Sequence, residues 1–246
     1  MKTIREELEE LKLGPEYSYL TKPHSLLSRV IKKIFEIYCN VLFSVYCPLK
    51  VHGKENIPSS SFIFCSNHNS HMDSGILMLA AGKPFIKFAM MAAKDYFFDN
   101  KNRKYFLSLL MNLIPIDRDA DKQSMIEYLA ACKEFLKDNK SGLIIYPEGT
   151  RSKTGKMQKF KKGPAMISAE LGVPIVPAYI SGSFTAWPKG KKFMKPTSLN
   201  VWIGKPIYPE KFLSETELIN GQHFTAYRKI TEVLESKVHE LMELKK

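Results

Sequence analysis

Six short apolar runs constrain this chain more tightly than any other feature. They are Ser61–Ser66, Ile86–Met90, Asn112–Ile116, Gly142–Tyr146, Pro174–Ile180 and Leu199–Ile203. Within them apolar side chains follow one another instead of alternating with polar ones, which is the pattern of strands covered on both faces. Stretches with helical spacing lie between, near 74–82, 101–111, 121–138 and 163–172. Such alternation predicts an α/β fold, a mostly parallel or mixed sheet covered by helices. A last stripe, Tyr227, Ile230, Leu234, Val238 and Leu241, predicts a closing helix packed back on the sheet.

Ahead of this pattern stands an N-terminal amphipathic helical segment. Ile4, Leu8 and Leu11 recur at helical spacing among charges before the Gly14–Pro15 break. Over 25–48, Arg29, Lys32, Lys33, Glu36 and Asn40 share one helical face, and the charges leave too short an apolar run to span a bilayer. An interfacial or core-packed helix is expected. The chain thus divides at residue 49, with a membrane-interface helical segment over 1–49 and the α/β domain over 50–246.

Charge narrows the choice of partner. The 37 Lys and Arg against 25 Asp and Glu leave a net charge of +12. Six basic residues between Arg151 and Lys162 have no acid among them, and Lys189, Lys191, Lys192 and Lys195 are interleaved with Trp187 and Phe193. Phospholipid headgroups, nucleic acid or an acidic carrier protein would suit such runs. No helix-turn-helix, zinc-finger or RNP pattern supports nucleic acid. The acidic start Met1–Glu10 lacks the basic and apolar stretches of a secretory leader, so export is not expected. Four scattered cysteines without a C-x-x-C pair read as reduced, buried thiols.

Open α/β sheets gather chemistry at the carboxyl ends of their strands. Asn67–Asp73 follows the first run, Asp117-Arg118-Asp119 the third, and Pro147–Ser152 the fourth. Asp73, five residues after His68 and at a helix start, can accept a hydrogen bond from one imidazole nitrogen and leave the other free as a general base. His71 adds a possible metal ligand, but the spacing matches no metal pattern, and none is expected. The chain has no G-x-S-x-G elbow, P-loop or dinucleotide fingerprint. Glu148-Gly-Thr-Arg151 sets a glycine and a forked cation within one turn. A phosphate monoester needs such donors, with Arg118 able to close on it from a neighbouring strand end. A salt-bridged structural turn is the competing reading of the same four residues.

Asn67-His-x-Ser-x-x-Asp73, Ile116-Asp-Arg118, Tyr146-Pro-Glu-Gly-Thr-Arg-Ser152 and Val173-Pro-Ile-Val-Pro177, in this order, resemble the four sequence blocks of the glycerophospholipid acyltransferases. The pattern is similar to that of the bacterial 1-acylglycerol-3-phosphate (PlsC-like) type and covers roughly residues 50–208. The resemblance implies that His68 is the general base and Asp73 its orienting partner. It implies a glycerol-phosphate site of Arg118, Glu148, Gly149, Thr150 and Arg151, a pocket wall around Pro177, and Lys94 near the site. The chain departs from the blocks in two places: Tyr146 stands where phenylalanine is common, and Asn112-Leu-Ile-Pro-Ile lacks the usual glycine and phenylalanine.

The implied activity is transfer of a fatty acyl group from acyl-CoA or acyl-ACP to the free hydroxyl of lysophosphatidic acid, giving phosphatidic acid. Glycerol 3-phosphate or another lysolipid is the alternative acceptor. The acyl thioester is a co-substrate, and no cofactor is expected. Partners would be an anionic lipid surface, the lysophospholipid and the thioester carrier, at the cytoplasmic face of the cell membrane in peripheral or monotopic attachment. Tyr105–Leu113 and Met90–Met91 are candidates for an acyl tunnel or for plain core.

Overall fold

The computed structural model describes residues 2–14, 17–21, 24–93, 107–116, 121–214, 218 and 223–245. Its centre is a seven-stranded sheet of β1 (Leu49–His52), β2 (Phe62–Ser66), β3 (Phe88–Ala93), β4 (Asn112–Ile116), β5 (Gly142–Ile145), β6 (Ile175–Ser181) and β7 (Leu199–Ile203). The strands lie in the order β1-β7-β6-β2-β5-β3-β4. All pairs are parallel except β6 with β7. The expected mixed, mostly parallel α/β sheet is therefore what forms.

The apolar runs have a direct physical cause. In β2, Ile63 and Cys65 face one layer while Phe62 and Phe64 face the other, and all four are fully buried. Each such side chain withdrawn from water is worth about 1.5–3 kcal/mol, so a polar residue at any of them would be costly. One layer holds α1 (Ile4–Glu10), α4 (Lys122–Leu136), α5 (Gly163–Leu171) and α6 (Phe224–Glu243). The other holds α2 (Leu26–Val41) and α3 (Asp73–Ala81). Gly75 on α3 permits this second layer, since a Cβ there would meet Cys39 Sγ and the Phe43 ring, both at 3.3 Å.

Residues 1–49 do not behave as one unit. Helix α1 is closed by a capping box between Thr3 and Glu6, buries Ile4 and Leu8 against the domain, and donates from Arg5 to Ala169 O at 2.7 Å. Helix α2 lies on the opposite face of the sheet, with Arg29, Lys33 and Asn40 in water but with one cation inside and much apolar surface outside. Ser28, Lys32 and Cys39 are buried, whereas Leu26, Leu27, Val30, Ile34, Ile37, Tyr38 and Val41 face outward. Lys32 satisfies its ammonium on Ser28 Oγ, Ser108 O and Leu109 O, and burial draws its pKa down to about 8. Leu49 opens β1, which pairs with β7. Among the described residues no helix is long and apolar enough to cross a membrane. All four cysteines are free and buried.

Candidate active site

Sheet register brings the predicted residues together. Cys65 of β2 lies opposite Ile145 of β5, so the segments leaving these two strands emerge side by side at the carboxyl edge. Asn67 anchors the first of them. Its amide donates to Ile180 O at 2.9 Å and accepts from Ile180 N at 2.8 Å, extending the sheet by side chain.

Asp73 opens α3 and is fully buried. Its Oδ2 accepts from Asn69 N at 2.7 Å, from Ser70 N at 2.8 Å, and from His68 Nδ1 at 3.0 Å. The two main-chain groups can only donate, so this oxygen is an acceptor and the ring must present its hydrogen on Nδ1. Nε2 is left with a lone pair. His68 lines a cleft of about 370 Å³ together with Gly149, Thr150 and Arg151. The base and the arginine expected beside it therefore share one opening.

The segment after β5 holds the main chain of His68 at both ends. Glu148 Oε1 accepts from His68 N at 2.8 Å, and Ser152 N donates to His68 O at 2.7 Å. Glu148 Oε2 accepts from Gln158 N at 3.0 Å. Burial raises the carboxyl's pKa, and these two hydrogen bonds oppose the rise. Both Glu148 oxygens thus tie loops together, and the arginine-paired turn is not what the described residues show. Gly149 also differs from expectation, because its N–H donates to Tyr146 O at 3.0 Å instead of facing a ligand. Its φ of 73° demands glycine, and the missing Cβ admits Lys161, whose Nζ lies 3.0 Å from where that atom would stand. Thr150 is exposed at the rim. Arg151 Nη1 is buried with no hydrogen-bond partner among the described residues, a forked donor without an acceptor.

Chemically the cleft has two parts. His68, His71, Arg151, Lys161 and Lys189 form its polar part, with no acidic side chain among the described lining residues. Met91, Ile116, Tyr128, Ile145 and Ile167 form an apolar interior. His71 has an exposed edge, yet burial against its neighbours, then the Arg151 charge, hold its imidazole down at about 4. It packs tilted against Trp187, with ring centroids 5.8 Å apart. The basic runs of the sequence supplied Lys161 and Lys189, but nothing in their spacing marked these two among their neighbours. Of the tunnel candidates Met91 lines the cleft, while Met90 packs into the opposite layer. Pro177 sits inside β6 opposite Cys65 and does not line the cleft. Lys94, Arg118, Tyr105 and Phe106 lie outside the described residues. No cluster of three metal-ligating side chains occurs among those described.

Comparison with known proteins supplies independent findings. The Acyltransferase family model matches residues 48–181. A chloroplastic 1-acyl-sn-glycerol-3-phosphate acyltransferase of Arabidopsis thaliana is 33% identical over 181 residues, covering 72% of this chain and 49% of its own. The corresponding protein of Saccharomyces cerevisiae is 35% identical over 175 residues, with 68% and 54% covered. That of Pseudomonas aeruginosa is 29% identical, with 65% and 60% covered. The chain spans about half the length of the curated relatives it matches. The crystal structure of a 1-acyl-sn-glycerophosphate (LPA) acyltransferase from Thermotoga maritima shares the fold, with a TM-score of 0.62 at 24% identity, covering 97% of this chain and 87% of that one.

Proposed function

The chain belongs to the acyltransferase family, and on that premise we propose that it transfers a fatty acyl group from a thioester of CoA or acyl carrier protein to the free hydroxyl of 1-acylglycerol 3-phosphate, giving phosphatidic acid. One observation carries this reading: His68, with Nε2 free, opens on the same cleft as the unpartnered guanidinium of Arg151.

The chemistry follows from the placement. An alcohol is a poor nucleophile at neutral pH, so Nε2 takes the hydroxyl proton as the oxygen attacks the thioester carbonyl. The new C–O bond forms, the C–S bond breaks, and the departing thiolate recovers the proton from the imidazolium. Neighbouring serines are poorly placed for a covalent intermediate. Ser70 Oγ is buried under Met72 N, and Ser74 Oγ is bonded to the Tyr146 hydroxyl. Direct transfer in a ternary complex is the consistent route, with no metal and no cofactor beyond the thioester.

Arg151 and Lys161 receive the acceptor's phosphate, and the apolar interior receives an acyl chain. Replacing Arg151 with alanine is expected to raise the acceptor KM about tenfold or more, the range of a lost charge-assisted contact, with kcat nearly retained. An unchanged acceptor KM would remove the phosphate assignment. The activity itself is tested by incubating the purified protein, in EDTA, with acyl-CoA or acyl-ACP and a panel of lysolipids and glycerol 3-phosphate. Phosphatidic acid, identified by mass spectrometry, is the expected product. A preferred acceptor other than lysophosphatidic acid, or a requirement for metal, would overturn the corresponding part of the reading.

The same placement argues for a lipid surface. Beyond α2 the outward apolar surface continues through Val45 to Tyr46, which donates to Met194 O at 3.1 Å on the basic loop that carries Phe193, 83% exposed. Lys189 of that loop lines the cleft. We infer peripheral or monotopic attachment at the cytoplasmic face, with α2 in the interface and lysines on the headgroups. Free, buried cysteines suit a reducing compartment. The triple substitution Leu27→Asn, Ile34→Asn and Val41→Asn is expected to weaken sedimentation with phosphatidylglycerol vesicles by about tenfold or more. Unchanged sedimentation would refute the placement.

A further inference from the structure

We propose that Tyr146 is a positioning residue for His68, a stacked plate that holds the imidazole in one plane and favours its protonated form, with Ser74 fixing the plate from behind. The inference rests on the reading of His68 as the base and extends it to a position that the family blocks leave as an interchangeable aromatic.

The geometry is specific. The two rings lie face to face, with centroids 3.7 Å apart and planes within 7°. The Tyr146 hydroxyl and Ser74 Oγ form a hydrogen bond of 2.7 Å. Ser74 directly follows Asp73 on the first turn of α3. Two consecutive residues therefore fix the imidazole in two independent ways. Asp73 holds its edge through Nδ1, and Ser74, acting through Tyr146, holds its face.

Both restraints are needed, because a hydrogen bond to one nitrogen still lets the ring rock about it, and the χ2 torsion of histidine is intrinsically broad. Rocking would carry Nε2 out of line with the acceptor hydroxyl, and reaction rates fall steeply with such misplacement. A ring stacked at this separation blocks the motion on one side. The sheet dictates the plate's position, because Cys65 lies opposite Ile145 and the residue directly after β5 emerges beside the His68 loop.

The stack also acts electrostatically. An aromatic face is the negative part of the ring's quadrupole, and a cation lying over it is stabilised. The imidazole becomes that cation when it takes the substrate proton. Tyr146 itself stays a neutral phenol, since burial, and then the nearby Asp73 carboxylate, raise its pKa well above the usual value.

The test uses the full-length protein with labelled histidine, His68 being assigned by the signal lost in His68→Gln. In the unaltered protein the carbon-bound ring protons of His68 are expected upfield of their positions in free histidine, shifted by the ring current of the stacked Tyr146. Tyr146→Leu is expected to abolish that displacement, and Tyr146→Phe to preserve it. In thioester turnover, Tyr146→Leu should lower kcat about tenfold with acceptor KM within about twofold. Its acidic limb should move to lower pH, and phenylalanine should restore most of the loss. His68 protons without upfield displacement in the unaltered protein would overturn the proposal even if the leucine variant were unstable, and so would an acidic limb unmoved by leucine in a stable one. An unaltered protein without acyl transfer would sink the proposed function instead and leave the resonance shifts to decide the stack.

Discussion

Replacing His68 with alanine should lower kcat about a thousandfold or more, the range expected when a positioned general base is lost. The effect should not come through folding. The neighbouring loops are tied to the main chain of His68, at N by Glu148 and at O by Ser152, and alanine keeps both bonds. Circular dichroism and lysolipid binding should therefore be retained while turnover disappears. His71 is the one other histidine among the described residues that line the cleft, but it is a poor substitute. An imidazole held at about 4 accepts a proton with little driving force near neutrality, and no carboxylate is bonded to its ring among the described residues. A His68→Ala variant within tenfold of the unaltered rate, coupled to a severe loss in His71→Ala, would move the role to His71.

What could be read from the sequence follows how local each signal is. The inner strands were legible because burial on both faces forces continuous apolar runs. β1 was not, since Leu49-Lys-Val-His is short, largely exposed, and held at the sheet edge by pairing with residues about 150 positions away. The His68–Asp73 pair was legible because its partners lie five residues apart across one turn. The hold of Glu148 on the loops was not legible, because its partners are main-chain N–H groups that carry no sequence signature. Tyr146 was passed over as an ordinary aromatic, since the face it covers is visible only when β2 and β5 are in register. The polarity of α2 deceived in a different way. Arg29 and Lys33 do point to water, yet Lys32 turns inward to main-chain carbonyls and many apolar side chains are left outside.

Asp73→Asn is expected to separate orientation from charge, and to cost about 100-fold or more in kcat. The amide is nearly isosteric. With its oxygen in the place of Oδ2 it can still accept from Asn69 N, Ser70 N and His68 Nδ1, so the loop and the tautomer survive. What disappears is the negative charge facing the imidazolium, which strengthens just as the proton is taken. The amide nitrogen must then occupy the place of Oδ1, a buried atom with no hydrogen-bond partner. An unsatisfied buried donor costs about 1–3 kcal/mol, so the melting temperature should fall by several degrees while the protein remains folded at assay temperature. Asp73→Ala removes the loop anchors as well and should be worse on both counts. Loss of charge also disfavours the protonated ring, which should shift the acidic limb of the rate profile to lower pH. If Asp73→Asn keeps near-normal turnover with an unmoved acidic limb, the carboxylate serves only to cap α3 and its loop, and His68 acts without electrostatic support.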